Sequence, residues 1–356
     1  MLCNGRGHRE IPKDIPVNVE HLSLSNNRIR GIRSGNFSKF TSLKKLYLDD
    51  NEITQLPRYG FLGLSDLEVL SLRGNRLGSL EEYSLAGLKN IVQLVLEHNR
   101  IKFIEGSAFA ATQNVHILQL GDNPIETLRS LAFSGLYNVS YLNLPTGIQA
   151  IESDAFNGLV GVGDLALTAM NLSVLRENAF RNLQNVSVLA VQRSHLGVVE
   201  PGAFRGLNRV LRLSLVKNTI DRFSELEISK ENQVKDLNIT GNLFKDVVSP
   251  GTLRCEAWGR VELENNLFPC DCRLRFLLDS ECVRRRERDF FTKNFCHSPP
   301  ELQNRRIADV DLNAVEACPE KTTPTVLYSS VSSNSRGSGI PGVASLLFVS
   351  LFQVFV

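Results

Sequence analysis

Cysteine is missing from residues 4–254 of this 356-residue chain. Seven occur in all: Cys3, then six between Cys255 and Cys318, so their placement at the two ends says more than their odd number. A surplus of one charge is also missing, because 40 basic side chains face 38 acidic ones for a formal net charge of +2. A surface that neutralises phosphates carries a larger excess of Lys and Arg, so nucleic acid is not an expected partner. Signatures of catalysis are absent as well. The histidines at 8, 21, 98, 116, 195 and 297 form no H-E-x-x-H pair, and there is no G-x-S-x-G elbow and no G-x-x-x-x-G-K-[ST] phosphate loop. The expectation is a protein that is not an enzyme and has no catalytic residues, cofactor or metal. Hydrophobic residues make up 42% and charged residues 22%, enough to bury a core and unlike a disordered chain.

What is present is a period. Leu67, Leu70, Leu72, Asn75, Leu77 and Leu80 recur 24 positions later as Ile91, Leu94, Leu96, Asn99, Ile101 and Ile104. They recur again as Val115, Leu118, Leu120, Asn123, Ile125 and Leu128. Eleven repeats begin at 19, 43, 67, 91, 115, 139, 162, 186, 210, 234 and 258, and only the step from Val139 to Val162 is 23 residues. The alternation of Leu94 and Leu96 puts both on the buried face of a short strand. A unit this small has no core alone, so stability is a sum over neighbours. A stack of such units at about 4.8 Å spacing gives a parallel sheet on the order of 50 Å long.

The unit L-x-x-L-x-L-x-x-N-x-L, followed by x-x-x-x-F-x-x-L, resembles the leucine-rich repeat over roughly residues 19–268. The resemblance implies an α/β leucine-rich-repeat solenoid. Its parallel β-sheet lines the concave face, its convex side is irregular or 3-10, and a disulfide-bonded cap closes its C-terminal end. The asparagine should turn a corner inside each coil and satisfy backbone groups of adjacent coils. The phenylalanines at 37, 61, 109, 133, 156, 180 and 204 should stack as a convex spine. The middle departs from the pattern: repeat six loses a residue around Pro145–Gly147, and Met170 and Ser194 replace the asparagine in the next two. Either neighbours tolerate the drift, or the departure reshapes the coil stack around a ligand site.

Five segments are expected: 1–18, the remnant of an N-terminal cysteine cap; 19–265, the repeats; 266–320, a C-terminal cysteine-rich cap; 321–339, a flexible Ser/Thr/Gly tether; and 340–356, a hydrophobic attachment signal. The cap resembles that of extracellular leucine-rich-repeat proteins of the chaoptin and connectin cell-surface adhesion type, and more distantly the variable lymphocyte receptors. That resemblance implies the pairs Cys270–Cys296 and Cys272–Cys318. Spacing alone does not choose among the pairings. Cys255 and Cys282 depart from the family pattern and form either a third bridge or two free thiols. Cys3 resembles the end of an N-terminal cap whose earlier cysteines are missing, and no secretory signal precedes it, so the chain reads as truncated there.

Sequons at Asn36, Asn138, Asn171, Asn185 and Asn238 suit an extracellular address. Asn238, between Leu237 and Ile239, should point out of the concave sheet, where a glycan would block its C-terminal part. Small residues at Ser333 and Asn334, a spacer, and an uncharged run from Val343 to Val356 form a pattern for a GPI lipid anchor on the outer face of the plasma membrane. A short membrane span is the alternative; the run is short for one.

The flanks of the strand leucines build the concave face. Early repeats carry mixed charges there: Glu20, Lys44, Lys45, Asp49, Asp50, Glu68 and Arg73. Gln119, Tyr141, Asn143, Asp164, Ala166, Thr168, Ala190, Gln192 and Arg193 form a charge-poor strip, and Arg212 begins a basic stretch. Interface centres are depleted in charge and enriched in aromatics, so the strip is the expected partner-binding surface for an extracellular or cell-surface protein, homophilic or not. The arginines of 284–288 and 305–306 suggest a glycosaminoglycan contact or a solvated charged face. Immune pattern recognition and a soluble matrix or carrier role are the competing functions.

Overall fold

The structure is a computed structural model. It describes residues 1–311 except 111, 113–114, 224–225, 227–231, 248–258, 273, 279 and 285 and the side chains of 275–276 and 281–282. The tether, the attachment signal, Cys255, Cys318, Ser333 and Asn334 lie outside the described residues, as does the side chain of Cys282.

Each repeat supplies one strand to an eleven-stranded sheet that follows chain order. The strands are β1 (His21–Ser23), β2 (Lys45–Tyr47), β3 (Val69–Ser71), β4 (Gln93–Val95), β5 (Ile117–Gln119) and β6 (Tyr141–Asn143). They continue as β7 (Val160–Thr168), β8 (Gln184–Gln192), β9 (Asn208–Val216), β10 (Asp236–Thr240) and β11 (Arg260–Glu264). All neighbours are parallel. Leu46 pairs with Leu70 and Leu189 with Leu213, a step of 24, whereas Leu142 pairs with Leu165, a step of 23. The missing residue of repeat six is therefore absorbed outside the strand, and the sheet keeps its register.

Strand length changes at this interruption. β1–β6 have three residues each and β7–β9 have nine. Valines crowd the long strands, at 160 and 162, 186, 188 and 191, and 210 and 216, and β-branched side chains suit a pleated sheet. Gly163 is needed for the approach of β7 to coil six: a Cβ there would stand 2.5 Å from the Ser140 carbonyl oxygen.

The strand leucines are buried, each worth about 1.5–3 kcal/mol relative to exposure. Asn75 shows how a corner is held. Its Nδ2 donates to Leu48 O (2.9 Å) in the preceding coil and Leu72 O (3.0 Å) in its own, and its Oδ1 accepts from Ile53 N (3.1 Å). Asn51, Asn99 and Asn123 repeat this scheme. Beyond the interruption the ladder changes form. Ser194 Oγ accepts from Met170 N (3.1 Å), and Asn242 Oδ1 accepts from both the backbone and the side-chain nitrogen of Asn218 (2.9 and 3.1 Å).

The convex spine forms in segments: Phe37 stacks on Phe61, Leu85 takes the next position, Phe109 is buried but joins neither stacked run, and an unbroken run goes from Phe133 through Phe156 and Phe180 to Phe204 at 5.3–5.5 Å between ring centroids. It resumes through Phe223, Phe244, Phe268 and Phe290. Turns and two-residue strands such as Ser79–Leu80 cover the convex side where 3-10 turns were an alternative; 3-10 segments Pro300–Leu302 and Ile307–Asp309 lie in the cap. Two positions before Phe37, Phe61, Leu85, Phe109, Phe133, Phe156, Phe180 and Phe204 the backbone is left-handed, at Gly35, Tyr59, Tyr83, Ser107, Leu131, Asp154, Asn178 and Gly202. That conformation costs a residue with a Cβ about 1–2 kcal/mol, with Asn and Asp the best tolerated.

At the N-terminal end, Ile11 and Ile15 are buried against coil one, and Cys3 is a buried free thiol. Its carbonyl accepts from Asn27 Nδ2 (2.9 Å). At the other end, helical segments Leu274–Leu278, Glu281–Arg284 and Glu287–Lys293 and strand Phe295–Ser298 form the cap. Cys270 pairs with Cys296. Cys272 is also disulfide-bonded, to a partner outside the described residues.

Candidate functional site: the concave face

The parallel register turns the variable positions into rows across the sheet. Ile117 stands beside Tyr141 and Gln119 beside Asn143; farther along, Ala166 meets Ala190 and Ala190 meets Ser214. Tyr141 is 52% exposed, the most exposed aromatic of this face. Ala166, Arg193 and Arg212 are exposed, and Gln119, Asn143, Thr168, Ala190 and Gln192 are half-buried.

Half of this strip is held by hydrogen bonds. Asn143 Nδ2 donates to Glu97 Oε1 (3.1 Å), and Gln119 Nε2 donates to the same oxygen (3.3 Å). Gln93 Nε2 reaches Gln119 Oε1 at 3.4 Å. Glu97 belongs to coil four and Asn143 to coil six; Gly121 lies between them and leaves the space they use. Farther along, Gln192 Nε2 donates to Thr168 Oγ1 (3.2 Å), and Arg212 lies 3.9 Å from Asp236. Chemically this is a polar, preorganised surface with an aromatic standing out of it. Among the described residues no group of three or more His, Cys, Asp or Glu could hold a metal ion.

Glu97, Gly121 and Gln93 belong to the site and were not singled out from the sequence. The available signal was Gly121, a glycine at the variable position where coils one to four carry Ser25, Asp49, Arg73 and Glu97. His98 and His116, which the repeat arithmetic brings to neighbouring coils, have separate partners in Asp122 and Ser140.

The early coils are wired by charge. Asp49 accepts hydrogen bonds from the Ser71 hydroxyl and from Arg73 N (3.1 Å). Burial pushes its carboxyl above the ordinary aspartate value, and these two donors only partly oppose that. On the edge of the face, Lys44 donates to Glu20 at 3.0 Å and holds the Glu20 carboxyl below its usual range.

The sequons fall on different surfaces. Asn138, Asn171 and Asn185 are exposed at the margins of the long strands. Asn36 is half-buried, and its Oδ1 accepts from Arg33 N (2.7 Å). Asn238 lies in β10 between buried Leu237 and Ile239, in the row of Ser214 and Glu262, and its Oδ1 accepts from the Thr240 hydroxyl. In the cap, Arg284, Arg288, Arg305 and Arg306 are exposed.

Comparison with known proteins agrees with this architecture. The sequence family described as Leucine rich repeat matches residues 41–101, 89–146 and 184–244, and one described as Leucine Rich repeats (2 copies) matches residues 17–60. No curated protein matches the chain in sequence. Among solved structures, FLRT2 (LRR), in an octameric complex with Latrophilin 3 and Unc5D, aligns at a TM-score of 0.50 and 21% identity. That alignment covers 87% of this chain and 80% of the other. TLR13, in complex with ssRNA13, aligns at a TM-score of 0.47 and 21% identity over 74% of this chain; the chain spans 39% of that protein's length. At such identity the likeness is one of fold. Among the described residues no helix is long and apolar enough to cross a membrane.

Proposed function

The chain belongs to the leucine-rich-repeat family, and from that premise we propose that it is a cell-surface recognition and adhesion protein that binds another protein on its concave face. The observation that carries this reading is the exposed Tyr141 beside the Glu97–Gln119–Asn143 network. A rigid aromatic on a charge-poor, already ordered surface lowers the entropic cost of binding and suits an interface centre. The partner sits over coils four to nine, with Ala166, Thr168, Ala190, Gln192, Arg193 and Arg212 completing its footprint.

The test is a screen of the chain against extracellular proteins, followed by Tyr141→Arg. Loss of binding with an unchanged thermal unfolding curve supports the reading; unchanged binding refutes it. The apolar C-terminus adds a GPI anchor to the proposal. A phosphatidylinositol-specific phospholipase should release the protein from cells, and retention counts against the anchor. The exposed cap arginines extend the reading to a glycosaminoglycan contact, which retention on heparin at physiological salt would support and passage through the column would dismiss.

A further inference from the structure

Away from the concave face, the flank of coils two and three exposes a different surface. Tyr59 and Tyr83 stack on each other with ring centroids 5.6 Å apart and an interplanar angle of 14°. Tyr59 is 46% exposed, and the adjoining Leu62 is 58% exposed. Arg58 lies over the Tyr83 ring at 5.6 Å and is paired with Glu82. Both tyrosines occupy the left-handed position, at φ 56° and 59°, where other coils place Gly35, Ser107, Leu131, Asp154, Asn178 and Gly202. Gly, Asn and Asp take that conformation at less cost. Strain kept at an aromatic pair with Tyr59 exposed and Tyr83 half-buried is a pointer to function.

The pattern of this strip is self-complementary. Position 58 is Arg and the equivalent position 82 is Glu, while positions 59 and 83 are both Tyr. A two-fold axis passing between coils two and three would set Tyr59 against Tyr83 of a second copy. It would also set Arg58 against that copy's Glu82, and the reverse. An isologous interface requires this kind of matching of one patch to itself. We infer that the Tyr59–Tyr83 flank is a self-association surface whose occupant is a second copy of this chain. The surface is separate from the concave face, so a dimer leaves both concave faces free for the partner proposed above.

The test uses sedimentation of the full chain, purified in mild detergent, across a concentration series. Wild type should dimerise. Arg58→Glu alone places Glu opposite Glu, and Glu82→Arg alone places Arg opposite Arg, so each variant should sediment as a monomer. An equimolar mixture of the two single variants should recover the dimer, because every contact across the axis is then between opposite charges. Recovery by mixing cannot come from misfolded chains. Tyr59→Asn with Tyr83→Asn should also abolish association without lowering the unfolding temperature, since Asn tolerates the left-handed backbone. A monomeric wild type, or a dimer indifferent to either charge reversal, overturns the proposal. Loss of concave-face binding through Tyr141→Arg leaves the dimer intact, so the two readings fail separately.

Discussion

Asn143 donates its side-chain amide to Glu97 across 46 residues of sequence and over the top of an intervening coil. The link exists because Gly121 has no side chain. A Cβ at that position would stand 2.9 Å from Asn143 Nδ2 and 3.4 Å from Glu97 Oε1. Three successive coils thus share one polar cluster, and the cluster holds the concave surface beside Tyr141 in one arrangement before a partner arrives.

Gly121→Ala should separate that ordering from folding. The backbone at Gly121 is not left-handed, so alanine fits it, and the bonds lost are half-exposed. Stability should fall by no more than about 0.5–1.5 kcal/mol. Affinity for a protein bound at this face should fall on the order of tenfold, as ordering costs return to the binding step. A titration showing full affinity in the alanine variant would mean that the network is not part of the recognition surface.

The corner asparagines should behave in the opposite way. In Asn75→Ala, the carbonyls of Leu48 and Leu72 and the amide of Ile53 lose their partner inside the coil stack. Buried groups left unpaired cost about 1–3 kcal/mol each, so a loss on the order of 3–5 kcal/mol is expected in urea unfolding. A loss under about 1 kcal/mol would show that water reaches the corner and replaces the amide.

Much of this was legible because the repeat writes one structural rule many times. Leu94 and Leu96, Asn99 and the spine phenylalanines from Phe37 to Phe204 each follow from a 24-residue period, and the 23-residue step at Tyr141–Asp164 can be counted in the sequence. The Glu97–Asn143 bridge was not legible. It joins two variable positions two coils apart and depends on the side chain that Gly121 lacks. The change of ladder form after Met170 was equally hidden, because Ser194 reads as a loss of the asparagine when its hydroxyl takes over the acceptor role. The later spine, Phe223 to Phe290, escaped because its spacings of 21, 24 and 22 residues leave the repeat register.

Asp49 gives the early coils a pH dependence whose sign is fixed. Its folded-state carboxyl titrates above the ordinary value of 3.8, mainly through desolvation. Over the interval between those two values the folded state binds more protons than the unfolded one, so stability falls as pH rises. Asp49→Asn keeps an oxygen for the Ser71 hydroxyl and Arg73 N–H and removes the titration. The unfolding temperature of the variant minus that of wild type should therefore increase from about pH 4 upward and then level off. A difference that stays flat, or that shrinks with rising pH, contradicts the assignment of burial as the dominant effect.

Asn294 extends the ladder into the cap, 28 residues beyond Asn266 and out of register with the repeat. Its Oδ1 accepts from Asn266 N (2.9 Å) and Nδ2 (3.0 Å), and its own Nδ2 donates to Leu263 O (2.8 Å) and Phe290 O (2.9 Å). The residue is fully buried, so water cannot easily replace it. Asn294→Ala should cost on the order of 3–5 kcal/mol locally. Coils in a solenoid contact only their neighbours, so the damage should stay at one end. Amide hydrogen exchange should accelerate at Leu263 and Asn266 while β2–β4 keep wild-type protection. The Cys270–Cys296 bridge ties the cap strand to the last coil and limits the opening to fraying. Uniformly faster exchange along the whole sheet would show that the cap governs the entire stack, and the neighbour-sum description of this solenoid would have to be given up.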